Sequence, residues 1–243
     1  LDNNIWINAR EIAGNGIDDD GNGYIDDVRG WDFFSNDNNP MDSNGHGTHV
    51  AGTIAAENNG FGVTGVAYNA RIMPVRVLGA DGSGSNAGVA AGIRYAVDNG
   101  AHVINLSLGG GFSQAVASAV EYASQRGVVV VMASGNESEG QPGFPARLAN
   151  QYGIAVGAVN INQQIANFSN LAGFSPLNYV VAPGVDVYST VPGNSYRYLD
   201  GTSMATHHVA GAAALMLSAN SRLTPAQVVS LLTSTADPTG ITI

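Results

Sequence analysis

Apolar residues in this chain fall into short runs set between small and polar ones, and the pattern becomes regular only after about residue 46. Residues 1 to 45 are rich in Asp, Asn and Gly and carry little periodic apolar pattern, which predicts loop. Gly47 to Glu57 predicts a helix with small residues on one face, suited to close packing on a sheet. Arg71 to Leu78 predicts a strand, followed by a turn and a helix that runs from an Asn86 cap to about Asn99. His102 to Leu108 predicts a strand ending in Gly109-Gly110-Gly111, and a helix from about Ser113 to Gln125 returns to the strand Val128 to Ala133. Ile154 to Val159 predicts another strand, and Tyr179 to Gly184 and Tyr188 to Val191 lead through a hairpin to a small-residue helix near Ser203. Thr224-Pro225, an N-cap with a favoured first residue, opens a last helix that ends near Thr235. Strands and helices alternating at this length imply a parallel sheet with right-handed crossovers. Ligands then belong at the strand C-terminal ends.

Composition narrows the picture. A chain of 243 residues with 44% hydrophobic content is long enough for one well-buried α/β domain and short for two. The net charge of −10 argues against nucleic acid or an anionic membrane as partner, since either needs a basic face, and agrees with a protein that binds cations. With no Cys, rigidity has to come from packing and bound metal. The longest apolar run, around Val209 to Leu217, falls short of a membrane span.

Three stretches carry candidate chemistry. Asp200-Gly201-Thr202-Ser203-Met204-Ala205 runs into an Ala-rich helix, so Ser203 sits at a helix N-terminus, where free N–H groups favour a developing anion; a plain helix cap is the alternative. Asn44-Gly45-His46-Gly47-Thr48-His49 places an imidazole ahead of a second small-residue helix, and a serine nucleophile needs such a base. Ser134-Gly135-Asn136 follows an apolar strand and brings an amide donor to its C-terminal end. Asp18-Asp19-Asp20-Gly21-Asn22-Gly23-Tyr24 spaces oxygens at 18, 20 and 22 with Tyr24 seventh, as in the first half of an EF-hand. Arg29 holds the twelfth position, so Asp26 or Asp27 has to close a calcium loop; an Asx-turn loop is the alternative. Gly82-Ser83-Gly84 after a strand imitates a dinucleotide-binding turn, but the third Gly comes one residue late and the helix cap already explains the turn.

Together, H-G-T-H-V-A-G-T, S-G-N and G-T-S-M-A in this order resemble the subtilisin-like serine proteases, the subtilases, through nearly the whole chain. The resemblance implies a single peptidase domain over residues 1–243, of the three-layer α/β class, with a mostly parallel central sheet and helices on both faces. It implies a secreted serine endopeptidase in which Ser203 attacks, His46 acts as base and then acid, and Asn136 helps hold the oxyanion. Gly82, Ser83 and Gly84 would form one substrate-pairing edge and Ser107, Leu108 and Gly109 the other. Ala133, Ser134 and Gly135 would line the pocket for the residue before the scissile bond, Gly143 would be its floor, and Phe144-Pro145 a cis bond.

The resemblance also implies calcium at two further loops: Asp32, Asp37 and Asn39, where Ser35 replaces a usual carboxylate, and Asn59 with the Phe61 and Val63 carbonyls. Protein or peptide is the implied substrate. Three departures matter. No D-[ST]-G turn for the third triad member occurs upstream of His46, and the family's closing strand is missing, so the chain reads as truncated at both ends. An upstream segment or propeptide would have to supply the absent strand, without which the chain is expected to be poorly active. The rival reading is a calcium-ordered peptide-binding module without turnover. His207 stands where the family has Pro, which restores a backbone N–H, and His207→Pro is expected to raise hydrolysis.

Overall fold

The computed structural model describes residues 1–237 and 241. Its centre is a four-stranded parallel sheet in the order β3 (Val103–Leu106), β4 (Val129–Ala133), β5 (Ile154–Val159) and β6 (Tyr179–Pro183). The middle strands are Val- and Ala-rich along their whole length because both faces are covered, the expected signature of a buried parallel sheet. On one face, Val89, Ile93, Val116 and Val120 of α2 (Asn86–Asp98) and α3 (Gln114–Gln125) meet Ile104, Val130 and Met132. On the other, Ala205, Val209 and Ala213 of α4 (Thr202–Ala219), with Val228 of α5 (Pro225–Thr235), meet Val129, Val131 and Val156. The three layers expected from the sequence are thus present.

Two smaller pairings flank the sheet. β1 (Trp31–Asp32) and β2 (Val75–Arg76) pair in parallel, and β7 (Val187–Val191) with β8 (Ser195–Leu199) makes an antiparallel hairpin. The strand expected over Arg71 to Leu78 shrinks to two residues, because β2 has no partner on its other side. Between β2 and β3 lies a cavity of about 2120 Å³ whose walls include Val75, Val77, Ile104, Leu106, Ile54 and Ala214. α1 (His46–Ala55) packs against both α4 and β7. Gly52 permits this approach, since a Cβ there would come within 2.2 Å of Thr190 Oγ1 and 2.5 Å of Ser189 Oγ.

Local signals held with one change. Thr224 and Gln227 form a reciprocal capping box on α5. The cap of α2 is Ser85, whose Oγ accepts from Gly88 N, and not Asn86, which is the first helical residue. The Phe144-Pro145 bond is cis. The acidic N-terminal loop is not a free appendage: Tyr24 packs on Trp31, Phe33 and Tyr95, with centroids 5.0 to 5.4 Å apart.

Candidate active site

Ser203 is the second residue of α4, reached through Gly201, whose φ of +152° and ψ of +160° suit glycine alone. Before it, Thr202 fixes Asn136. The Thr202 N–H and Oγ1 both donate to Asn136 Oδ1, at 2.8 and 2.9 Å, while Thr202 Oγ1 accepts from Gly135 N. With its oxygen so occupied, the Asn136 amide turns Nδ2 outward. A Cβ placed on Gly201 would lie 3.6 Å from Asn136 Nδ2 and 3.7 Å from Ser203 N, so two donors flank one small space that only a missing side chain leaves open. The Ser203 hydroxyl rests on the Ser107 carbonyl, 3.4 Å away.

His46 opens α1 and shares this rim, its ring centroid 6.4 Å from that of His207, one turn beyond Ser203 on α4. Gly82, Ser83, Gly84 and Ser107, Leu108, Gly109 line one continuous cleft with His46. Ala133, Ser134 and Gly135 end β4 beside it; Gly143 N donates to Ser134 O at 2.8 Å, and Gly110 N to Phe144 O at 3.1 Å. His46 and both expected substrate edges thus line one cleft, and Ser203 is joined to it through its bond to the Ser107 carbonyl.

The comparisons agree. Residues 1–242 match the profile of the Subtilase family. The chain belongs to the subtilase family. It is 50% identical over 215 residues to "Subtilisin Savinase" of Lederbergia lenta, covering 88% of this chain and 78% of that one. At the same identity over 215 residues it matches an "Alkaline protease" of Alkalihalobacillus alcalophilus, covering 88% of this chain and 55% of the relative, so it spans about half the length of that protein. A crystal structure of a cold-adapted subtilisin-like serine proteinase superposes with a TM-score of 0.77 at 43% identity, covering 85% of this chain and 73% of that one. Sphericase superposes at 0.73 and 36%, covering 81% and 70%. These names support a serine endopeptidase and do not favour the rival reading of a binding module without turnover.

In this subtilase burial pushes four imidazoles, those of His46, His49, His207 and His208, below the ordinary histidine range. Burial lowers the His46 pKa, offset in part by Asp42 and assisted by His49. Asp42 itself acts as the cap of α1: its Oδ1 accepts from Asn44 N and Gly45 N, its Oδ2 from Thr48 N and Oγ1. Burial alone would raise its pKa, but those bonds outweigh it and the pKa is lowered. Among the described residues no carboxylate hydrogen-bonds the His46 ring. His49, fully buried, points Nε2 between the Val187 and Arg197 carbonyls and so ties α1 to the hairpin, while His208 Nδ1 lies 3.0 Å from Met204 O.

Burial lowers His49, His207 and His208 as well. A folded-state pKa below the unfolded value of about 6.5 means the unfolded chain binds more protons in the interval, so this stability is complete above it and is lost as pH falls. We therefore expect urea midpoints to fall steeply between about pH 6.5 and 5. Equal midpoints across that range would contradict it.

The loop after β4 is held by a residue with no signal in the sequence. Asn170 is fully buried; its Oδ1 accepts from Glu137 N and Glu139 N, and its Nδ2 donates to Ser134 O and Glu137 Oε2. A lone Asn in a loop after a strand carries no pattern that would single it out.

The acidic loops divide differently from expectation. Among the described residues one group of three acids converges: Glu11, Asp18 and Asp20, with ligand atoms within 4.8 Å of one another. Glu11 was not foreseen; it reaches back to accept from Asp19 N, Asp20 N and Asp26 N. Asn22 turns its Oδ1 to Tyr24 N. Asp26 is drawn away to the Gly14, Asn15 and Gly16 amides. Asp27, with no exposed surface, instead joins the core, accepting from Asn8, Asn22 and Tyr95. Neither belongs to the converging group.

At the second loop Asp32 spends Oδ2 on Arg76, at 2.6 Å, and Oδ1 on Phe34 N and Ser35 N, while Asp37 accepts from Asn39 N. At the third, Asn59 Oδ1 accepts from Phe61 N across the turn before Val63.

Proposed function

We propose that this chain is the catalytic part of a secreted, calcium-dependent serine endopeptidase of broad specificity. In this reading Ser203 Oγ attacks the scissile carbonyl and passes its proton to His46, which is unprotonated at neutral pH because burial lowers its pKa. The carbonyl oxygen becomes an oxyanion held by Asn136 Nδ2 and Ser203 N. Its collapse breaks the C–N bond, His46 returns the proton to the leaving amine, and water repeats the sequence to release the acid. The substrate lies extended between Gly82–Gly84 and Ser107–Gly109. A Gly143 floor admits a large apolar side chain, and the Glu137 carboxylate across Gly135 leaves room for a basic one.

The observation that carries the reading is the Asn136 amide, its oxygen held by Thr202 and its Nδ2 lying, like Ser203 N, within 3.7 Å of the position a Gly201 Cβ would take. A cleft between β2 and β3, apolar and open along both strand edges, supports a further element: one extended segment pairing there, bearing the carboxylate that would orient His46. A fluorophosphonate probe with intact-mass readout tests both. We expect one adduct, on Ser203, absent in Ser203→Ala, and formed much faster when the chain is preceded by its upstream-coded residues. No adduct on either form would overturn the enzymatic reading, and equal rates would remove the strand.

Calcium would sit at Glu11, Asp18 and Asp20. Hard oxygen donors in a preformed loop fit it, and once bound it would offset two of the three negative charges packed within one site. Calorimetric titration is expected to show one site, lost in Glu11→Gln, with the melting temperature falling on chelation. A Glu11→Gln protein that binds as well as its parent would rule out this ligand set.

A further inference from the structure

Behind the nucleophile, β3 and α4 are joined through the Ser107 hydroxyl. Its Oγ lies 2.9 Å from Asn105 Nδ2, 3.2 Å from the Ser203 carbonyl and 2.9 Å from His207 Nε2. A serine hydroxyl offers one proton and two lone pairs. The Asn105 amide nitrogen donates, so the one Ser107 proton goes either to Ser203 O or to His207 Nε2. Given to Nε2 it would require a buried Nδ1–H with no acceptor, the costlier arrangement; given to Ser203 O it leaves a lone pair for His207, which then donates from Nε2–H. Its Nδ1 is then the bare nitrogen, and it is buried without a hydrogen-bond partner. The ring has no exposed surface, and burial, with His46, His208 and His49 around it, keeps it neutral. One proton on Nε2 is thus what the surroundings permit.

We propose that His207 is a positioning residue for the nucleophile. Through Ser107 it anchors the Ser203 main chain laterally to the strand end that also carries the substrate edge. The proposal rests on Ser203 being the nucleophile. Residues 107 and 203 are tied twice, since the Ser203 hydroxyl also returns to the Ser107 carbonyl, so a shift of one moves the other. Proline, which the resembled motif has at this place, offers neither ring N–H nor main-chain N–H. The link to Ser107 is therefore particular to a histidine here, and the expectation that His207→Pro raises hydrolysis reverses.

Steady-state hydrolysis of a peptide anilide by the full chain tests the link. His207→Ala and Ser107→Ala should each lower kcat by about 10- to 100-fold, the scale of a displacement near 1 Å, with KM within about twofold. The double variant should be no worse than either single one, because the two residues act as one unit. His207→Gln, whose amide can reach the same hydroxyl, should recover most of the loss, and His207→Pro should behave like His207→Ala. Losses that multiply, a change carried by KM, or a gain in kcat for His207→Pro would overturn the proposal.

Ser107→Ala removes one oxygen from a half-buried side chain, so it keeps the test valid if the histidine variants fold poorly. A readout independent of turnover is the ring ¹⁵N spectrum. It should show a neutral Nε2–H tautomer between about pH 5 and 8, perturbed in Ser107→Ala, whereas an Nδ1–H tautomer would refute the link. If wild type neither turns over nor labels at Ser203, the nucleophile reading fails, and the tautomer still decides whether the link exists.

Discussion

Asp32→Ala lowers the free energy of unfolding by about 3–5 kcal/mol, and by the same amount with calcium or with a chelator. Asp32 is 1% exposed and its Oδ2 meets Arg76 Nη1 at 2.6 Å, while its Oδ1 satisfies two backbone amides at the end of β1. Removing the carboxylate leaves the Arg76 guanidinium, itself largely covered, without its counter-ion, and strands the Phe34 and Ser35 N–H groups. The cost is that of an uncompensated buried charge, which exceeds what the intact pair contributes relative to an apolar replacement. Urea denaturation in the two buffers measures it. If the penalty vanishes when calcium is chelated, Asp32 is a ligand and the ion pair is secondary.

Asn170→Ala is expected to cost both stability and specificity. Four hydrogen bonds end on this one amide, and they hold the Ser134 carbonyl, the Glu137 and Glu139 amides and the Glu137 carboxylate in a single wall. Alanine takes the partner from the Glu137 and Glu139 amides and leaves Ser134 O with Gly143 N alone, a loss of about 1–3 kcal/mol, the scale of an orphaned group. The wall faces the proposed pocket for the residue before the scissile bond. Its collapse should lower kcat/KM by at least about tenfold for substrates with a large residue there, since misplacement near 1 Å is enough. Peptides differing only at that residue separate this from general unfolding. A uniform loss across them would mean that Asn170 supports the fold without shaping the pocket.

What the sequence revealed depended on how local each signal is. The crossover units of the sheet were legible because Val128 to Ala133 and Ile154 to Val159 are buried on both faces and flanked by helices of ordinary length. Ser203, His46 and Asn136, the proposed nucleophile, base and amide donor, stood out because each lies inside a short motif rich in small residues, which close approach needs at Gly52. The metal loop was legible only in part. Spacing identifies Asp18 and Asp20 but cannot say that Glu11 folds back to them, nor that Asp27 is drawn into the core by Tyr95 from a helix 68 residues away. Asn170, Thr202 and Asn105 escaped notice for the same reason: their roles come from tertiary neighbours, and single polar residues in loops and strands are common.

The interruption between β2 and β3 gives the molecule two units of unequal durability. Amides of β4 and β5, bonded on both sides and sealed from water, should be the last to exchange with solvent, at the cost of global unfolding. Those of β1 and β2 need only a local opening. Under the proposed endopeptidase activity its own first accessible target would lie in that N-terminal unit, and trimming there would set its working lifetime.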